Sequence, residues 1–142
     1  MKKLLLFFVF ILNTINITAQ APTTPSTNLN FNFLDGNNLR LSFTKGNGEK
    51  RLIIAKAGSP VTAVPADGTD YISGSFGLGN EIAPGEFVVY EGIGNSNIYI
   101  TGLNHSTTYY IKVFEFNGGA STTQYLATSF LEGSQATLTN PA

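Results

Sequence analysis

The chain has 142 residues, the length of one domain, with 8 basic and 9 acidic side chains and a formal charge of −1. That balance leaves no basic excess to grip nucleic acid or an anionic membrane surface. Charged residues are sparse at 12 %, cysteine is absent, and Gly, Asn, Thr and Ser are plentiful, which excludes a disulfide framework and a charged helical protein and points to a turn-rich β domain held by packing.

The first residues, "MKKLLLFFVFILNTINITAQA", carry two lysines, an unbroken apolar run from Leu4 to Leu12, a polar stretch and the small-x-small triplet Ala19-Gln20-Ala21. This is the pattern of a secretory signal peptide over residues 1–21. The apolar run ends at Asn13, well short of the roughly 20 residues that a membrane-crossing helix needs. No membrane span is expected after cleavage near Ala21 or Pro22, and without cysteine no lipid can be attached there. Loss of Lys2 and Lys3 leaves six basic residues against nine acidic ones, a mature charge of about −3.

A Pro/Thr/Ser linker over 22–28 leads into the alternating residues Leu29, Phe31 and Phe33, read as a first strand, and "DGNN" at 35–38 reads as a turn. "LRLSFT" puts Leu39, Leu41 and Phe43 on one face and polar residues on the other, a half-buried strand. After the tight turn "KGNGE", the third strand "KRLIIAKA" has adjacent Ile53 and Ile54, so both of its faces must be at least partly covered. From Gly58 to Gly85 six glycines and three prolines exclude a regular strand of any length. Val61, Val64, Tyr71, Ile72, Phe76, Leu78 and Ile82 nevertheless make this insertion a structured excursion rather than a disordered linker. "EFVVYEG" and "NIYITGL" are two further strands. "TTYYIKVFEFNGG" follows with apolar residues on both faces, and a weaker last strand is expected around "SQATLT". About seven short strands with regular turns predict an antiparallel β-sandwich over residues 29–139.

At this point the residues resemble a known family. "TGLNHSTTYYIKVFEFNGG" is similar to the end of a fibronectin type III domain, whose corner between strands has a leucine, a threonine four residues on and a tyrosine six residues on, here Leu103, Thr107 and Tyr109. Such a tyrosine packs its ring at the corner and bonds its hydroxyl back to the loop backbone. His105 stands where the family usually has proline, and Phe43 where it has a buried tryptophan. "GNGEKRLIIAKAGSPV", "PADGTDY", "FGLGNEI" and "FVVYEG" resemble the variant of this domain common in secreted multidomain proteins of Bacteroidetes. The resemblance spans about Leu39 to Tyr125. It implies that Tyr109, Ile111 and Val113 face the sandwich interior with Leu41, Phe43, Ile98, Ile100 and Leu103. Tyr110, Lys112, Phe114 and Phe116 then lie on the outer face.

That outer face is the first place to look for function. Tyr110, Phe114 and Phe116 beside a lysine could serve as stacking platforms or interface anchors for a protein or glycan ligand. The competing expectation is that the 58–85 excursion folds over the stripe and buries it. The catalytic options are thin. His105 is the only histidine and reads as a solvated loop residue, no cysteine nucleophile exists, and one histidine cannot build a His-rich zinc site. Asp67 and Asp70, with Glu81 and Glu86 further on, could be paired carboxylates, but turn formation explains the two aspartates more simply, and "DGTD" lacks the spacing of a calcium loop. "GSFGLGN" lacks the glycine spacing of a phosphate loop, and "NHS" matches a glycosylation sequon of little weight in a bacterial protein.

The expectation is therefore an all-β, fibronectin type III-like module without catalysis, metal or cofactor. It would be secreted to the periplasm, cell surface or extracellular space and act as a spacer or as an adhesion and binding domain. Its partners would be protein or glycan ligands or neighbouring domains of the same polypeptide. The alternative is an ancillary domain of a secreted polysaccharide- or protein-degrading enzyme whose catalytic part is absent from this chain. "ATLTNPA" resembles the opening "APTTPS", as if another module followed.

Overall fold

A computed structural model of the protein describes residues 18–139, so the signal-peptide reading of 1–21 lies almost entirely outside the described residues. The strands in chain order are β1 (Thr27–Leu34), β2 (Leu39–Thr44), β3 (Lys50–Ala57), β4 (Glu81–Ala83), β5 (Glu86–Gly92), β6 (Ile98–Ile100), β7 (Thr108–Asn117), β8 (Gln124–Tyr125) and β9 (Leu131–Ala136), with one 3₁₀ turn at Ala120–Thr122. All pairings are antiparallel. One sheet has the order β1-β2-β6. The other runs β4-β5-β3-β7, and the far side of β7 is shared by β9 along Thr108–Val113 and by β8 at Phe116–Asn117.

The two sheets enclose an interior built from one face of each strand. Leu39, Leu41 and Phe43 of β2 and Ile98 and Ile100 of β6 meet Ile53 and Ala55 of β3, Val89 of β5, and Tyr109, Ile111 and Val113 of β7. Successive residues of a strand point to opposite faces, so the same β3 and β7 strands send Leu52, Ile54, Phe114 and Phe116 outward. There a second apolar cluster closes over them, with Val61 and Ala63 of the excursion, Val88 of β5 and Tyr125 of β8. Ile53 and Ile54 therefore serve opposite cores, which is why both are 0 % exposed.

Over residues 61–66 the excursion covers this face as an extended segment that joins no ladder. Val61, Ala63 and Pro65 are buried and alternate with exposed Thr62, Val64 and Ala66, the period of a strand. Proline cannot donate to a ladder, and the donors at Thr62 and Ala63 end instead on the Glu86 carboxylate. Further on, Gly79 packs so tightly that a Cβ there would lie 1.9 Å from the Val88 carbonyl oxygen. The excursion then ends in β4, which pairs with β5, so a short strand does exist where the glycines and prolines had argued against any.

Three other expectations change. The linker over 22–28 is packed onto the sandwich: Pro22 is buried, the Thr23 and Thr24 N–H groups donate to Asn47 Oδ1 at 3.0 and 2.8 Å, and Ser26, 2 % exposed, donates to Glu115. β6 stops at Ile100 rather than running through "NIYITGL", because the Thr101 carbonyl and hydroxyl bond to Phe76 and Ser75 of the excursion. The last strand is Leu131–Ala136, earlier than "SQATLT", since its position is set by pairing with β7.

Candidate functional site

The outer aromatic stripe is mostly closed. Phe114 and Phe116 are 0 and 2 % exposed, which corrects the expectation that they form a binding surface with Tyr110. Phe114 packs against Phe130, with ring centres 5.3 Å apart, and Phe116 against Tyr125 at 5.0 Å. Tyr71, from the excursion, reaches Tyr125 at 6.1 Å. Burying each phenylalanine contributes about 1.5–3 kcal/mol, so these rings hold the excursion down rather than wait for a ligand. Burial, reinforced by Tyr71 and Asp70, pushes the Tyr125 hydroxyl well above its ordinary value; that hydroxyl donates to the Thr69 carbonyl at 2.9 Å.

Tyr110 has a different environment. It is half-buried at the end of the stripe where the cover thins, and it lines an open groove of about 230 Å³ with Pro60 and Val61 on one side and Lys112, Glu132 and Ser134 on the other. β7 and β9 build the floor of this groove, with Tyr110 opposite Ser134 and Lys112 opposite Glu132 in the ladder. Lys112 is only 9 % exposed. Its Nζ lies 4.1 Å from the centre of the Phe130 ring, a cation–π contact.

The carboxylates that looked catalytic are used as tethers. Asp67 accepts from the Tyr125 N–H at 2.8 Å, while Asp70 accepts from the Ala120 N–H at 2.7 Å and from the Thr123 hydroxyl. Asp67 stands in a turn with Gly68, as expected, and in addition pins the excursion to β8, while Asp70 pins it to the β7–β8 connection. The Thr123 and Ala120 bonds hold the Asp70 carboxyl below its ordinary value. Glu81 accepts from the Gly85 N–H within its own hairpin. Glu86 is 0 % exposed and takes bonds from Lys56, from Thr62 by both its N–H and its hydroxyl, and from the Ala63 N–H. Burial alone would raise its pKa, but these donors outweigh that and hold it at about 2.

The largest polar constellation was not anticipated. Arg51 and Glu115, 1 and 0 % exposed, pair across β3 and β7 with Nε 3.1 Å from both carboxylate oxygens. Glu115 also accepts from Ser26 and from the Gly46 and Gly48 N–H groups, and Arg51 donates to the Ile93 and Gly48 carbonyls. One buried pair thus gathers the N-terminal segment, the β2–β3 turn and the β5–β6 loop. A signal existed: Arg51 shares the inward parity of Ile53 and Ala55, and Glu115 that of Ile111 and Val113, so opposite charges stand at facing core positions.

Leu103, Thr107 and Tyr109 meet at the connection between β6 and β7. The Tyr109 hydroxyl accepts from the Asn104 N–H at 2.9 Å, Thr107 bonds to His105 and Thr137, and Leu103 is 2 % exposed. His105 is half-buried against Gly36 rather than solvated, and a Cβ at that glycine would lie 1.8 Å from its Nδ1. Among the described residues, no group of three or more His, Cys, Asp or Glu side chains could hold a metal ion, and no helix is long and apolar enough to cross a membrane. Comparison of the chain with protein-family models and with curated proteins gave no match.

Proposed function

We propose that this chain is a secreted, non-catalytic β-sandwich module of the fibronectin type III kind, working as a spacer or as an adhesion and binding domain of a cell-surface or extracellular protein. The observation that carries this reading is the use of the charged side chains. Glu86, Glu115, Asp67 and Asp70 each accept bonds that fasten a loop to the sheets, so the polar chemistry of the chain goes into holding a rigid body. The signal-like opening and the Leu103-Thr107-Tyr109 corner support secretion and the family resemblance, respectively. The partners are a protein or glycan ligand at an open surface, or neighbouring domains of the same polypeptide.

An antiserum against residues 22–142, applied to cytoplasmic, periplasmic, membrane and culture fractions of the native cells, tests this. A band just below the 15.2 kDa of the full chain outside the cytoplasm, or a larger one there, is the expected result. An unprocessed chain confined to the cytoplasm would overturn secretion. Turnover in a hydrolase screen that disappears in Asp67→Asn or Asp70→Asn would overturn the non-catalytic reading.

A further inference from the structure

Two places in the sequence put asparagine directly before glycine, Asn47-Gly48 in the β2–β3 turn and Asn117-Gly118 at the end of β7. This order exposes an asparagine amide to attack by the chain itself, because glycine has no Cβ to shield its backbone nitrogen or to restrict the folded-back geometry. The glycine nitrogen, losing its proton, attacks the asparagine Cγ. The Cγ–Nδ2 bond breaks, ammonia leaves and a succinimide ring forms. Water then opens either carbonyl of the ring, leaving aspartate, or isoaspartate with an additional methylene in the main chain. The asparagine side chain and the glycine N–H must both leave their partners first, so local opening decides which site reacts.

Both sites clip the N-terminal segment onto the body, but they are held unequally. Asn47 Oδ1 accepts from the Thr23 and Thr24 N–H groups at 3.0 and 2.8 Å, and its Nδ2 donates to the Thr23 hydroxyl at 3.0 Å. The Gly48 N–H ends on the buried Glu115 carboxylate at 3.0 Å. Asn117 makes one side-chain bond fewer: its Oδ1 accepts from the Glu49 N–H at 2.8 Å and its Nδ2 donates to the Gln20 carbonyl at 2.7 Å. The Gly118 N–H donates to the carboxylate of Glu49 at 3.1 Å, and Glu49 is exposed. Gln20 lies in the stretch read as signal peptide, so cleavage near Ala21 would also remove that acceptor. With or without it, Asn117 is the less firmly held of the two.

We propose that Asn117 is a site of spontaneous covalent modification, converting to isoaspartate and aspartate while Asn47 is protected, and that the conversion loosens the cover over the outer face. Asn117 pairs with Gln124 of β8. Gly118 opens the connection whose Ala120 N–H and Thr123 hydroxyl bind Asp70 of the excursion. A longer main chain at residue 117 shifts that connection away from Asp70 and weakens the tether. Exposure alone would favour the other site, since Asn47 is exposed and Asn117 half-buried. The relative rates therefore separate control by hydrogen bonding from control by exposure. The chemistry is independent of what the module binds, so its failure would leave the module reading untouched.

The test is to incubate the purified protein in mildly alkaline buffer, digest samples at intervals and map the peptides by mass spectrometry, with isoaspartate counted by enzymatic methylation. Asn117 should convert at least about fivefold faster than Asn47, the factor that one further hydrogen bond supplies. Glu49→Ala, at an exposed position, removes the acceptor of the Gly118 N–H and should speed conversion at Asn117 several-fold while leaving Asn47 unchanged. Thr23→Val, which removes the acceptor of the Asn47 Nδ2, should speed conversion at Asn47 instead. In limited proteolysis the aged protein should be cut within 58–80 sooner than the fresh protein. Asn117→Gln, whose longer side chain closes its ring far more slowly, should show neither the conversion nor the added cutting. Conversion at Asn47 as fast as at Asn117, a rate at Asn117 that ignores Glu49→Ala, or an aged protein as resistant as the fresh one would overturn the proposal.

Discussion

Replacing Glu86 by Gln should loosen the cover on the outer face while leaving the sandwich interior intact. The native carboxylate, 1 % exposed at its side chain, accepts from the Lys56 ammonium at 2.8 Å, the Ala63 N–H at 2.6 Å and the Thr62 N–H at 3.0 Å. Glutamine keeps the size but turns one acceptor oxygen into a donor facing these N–H groups, and it leaves Lys56 without its anion. A hydrogen bond to a charged group contributes about 1.5–3 kcal/mol, and removing one partner of a buried pair costs about 3–5 kcal/mol. Lys56 is 22 % exposed, so water recovers part of that, and the expected loss is about 2–4 kcal/mol. Protonation should reach the same end by another route. The folded pKa of about 2 lies below the ordinary 4.5, so the stabilisation is complete above about pH 4.5 and fades as pH falls toward 2, to a total of about 3 kcal/mol at most. Urea unfolding of both proteins across this range is the assay. The gap between them should be about 2–4 kcal/mol near neutral pH and shrink steadily below about pH 4.5. A neutral-pH gap under about 0.5 kcal/mol, or one that stays constant into acid, would refute the tether.

Phe114→Ala should cost about 3–5 kcal/mol and make the 58–80 segment the first site of limited proteolysis; a stable, protease-resistant variant would contradict the second core. Tyr109→Phe removes the acceptor for the Asn104 N–H while keeping the ring, with an expected loss of about 1–2 kcal/mol in urea unfolding. An unchanged midpoint would mean the corner bond contributes nothing. Gly79→Ala forces a Cβ against the Val88 carbonyl and should cost about 1–3 kcal/mol, with amide shifts concentrated in β5. Neutral behaviour there would show that the excursion sits further from β5.

The strands "LRLSFT", "KRLIIAKA" and "EFVVYEG" were legible to the residue, whereas the inward side of Tyr109, Ile111 and Val113 was implied only by the family resemblance, because that strand is apolar on both faces. Alternation of side chains is a local property of an extended backbone, so the amino-acid order alone determined which residues share a face. What covers a face is not local. Whether Phe114 and Phe116 meet solvent or Val61 and Tyr125 depends on a segment dozens of residues away, and that segment carries no ladder pattern because Glu86 receives its N–H groups. The same holds for Glu115 and Arg51: their parity matches that of core residues on their strands, but only the pairing of β3 and β7 brings the two charges together in the interior. The Tyr110 groove is likewise a product of the tertiary structure, since its two walls come from the excursion and from β9, which meet only once the sheets have closed.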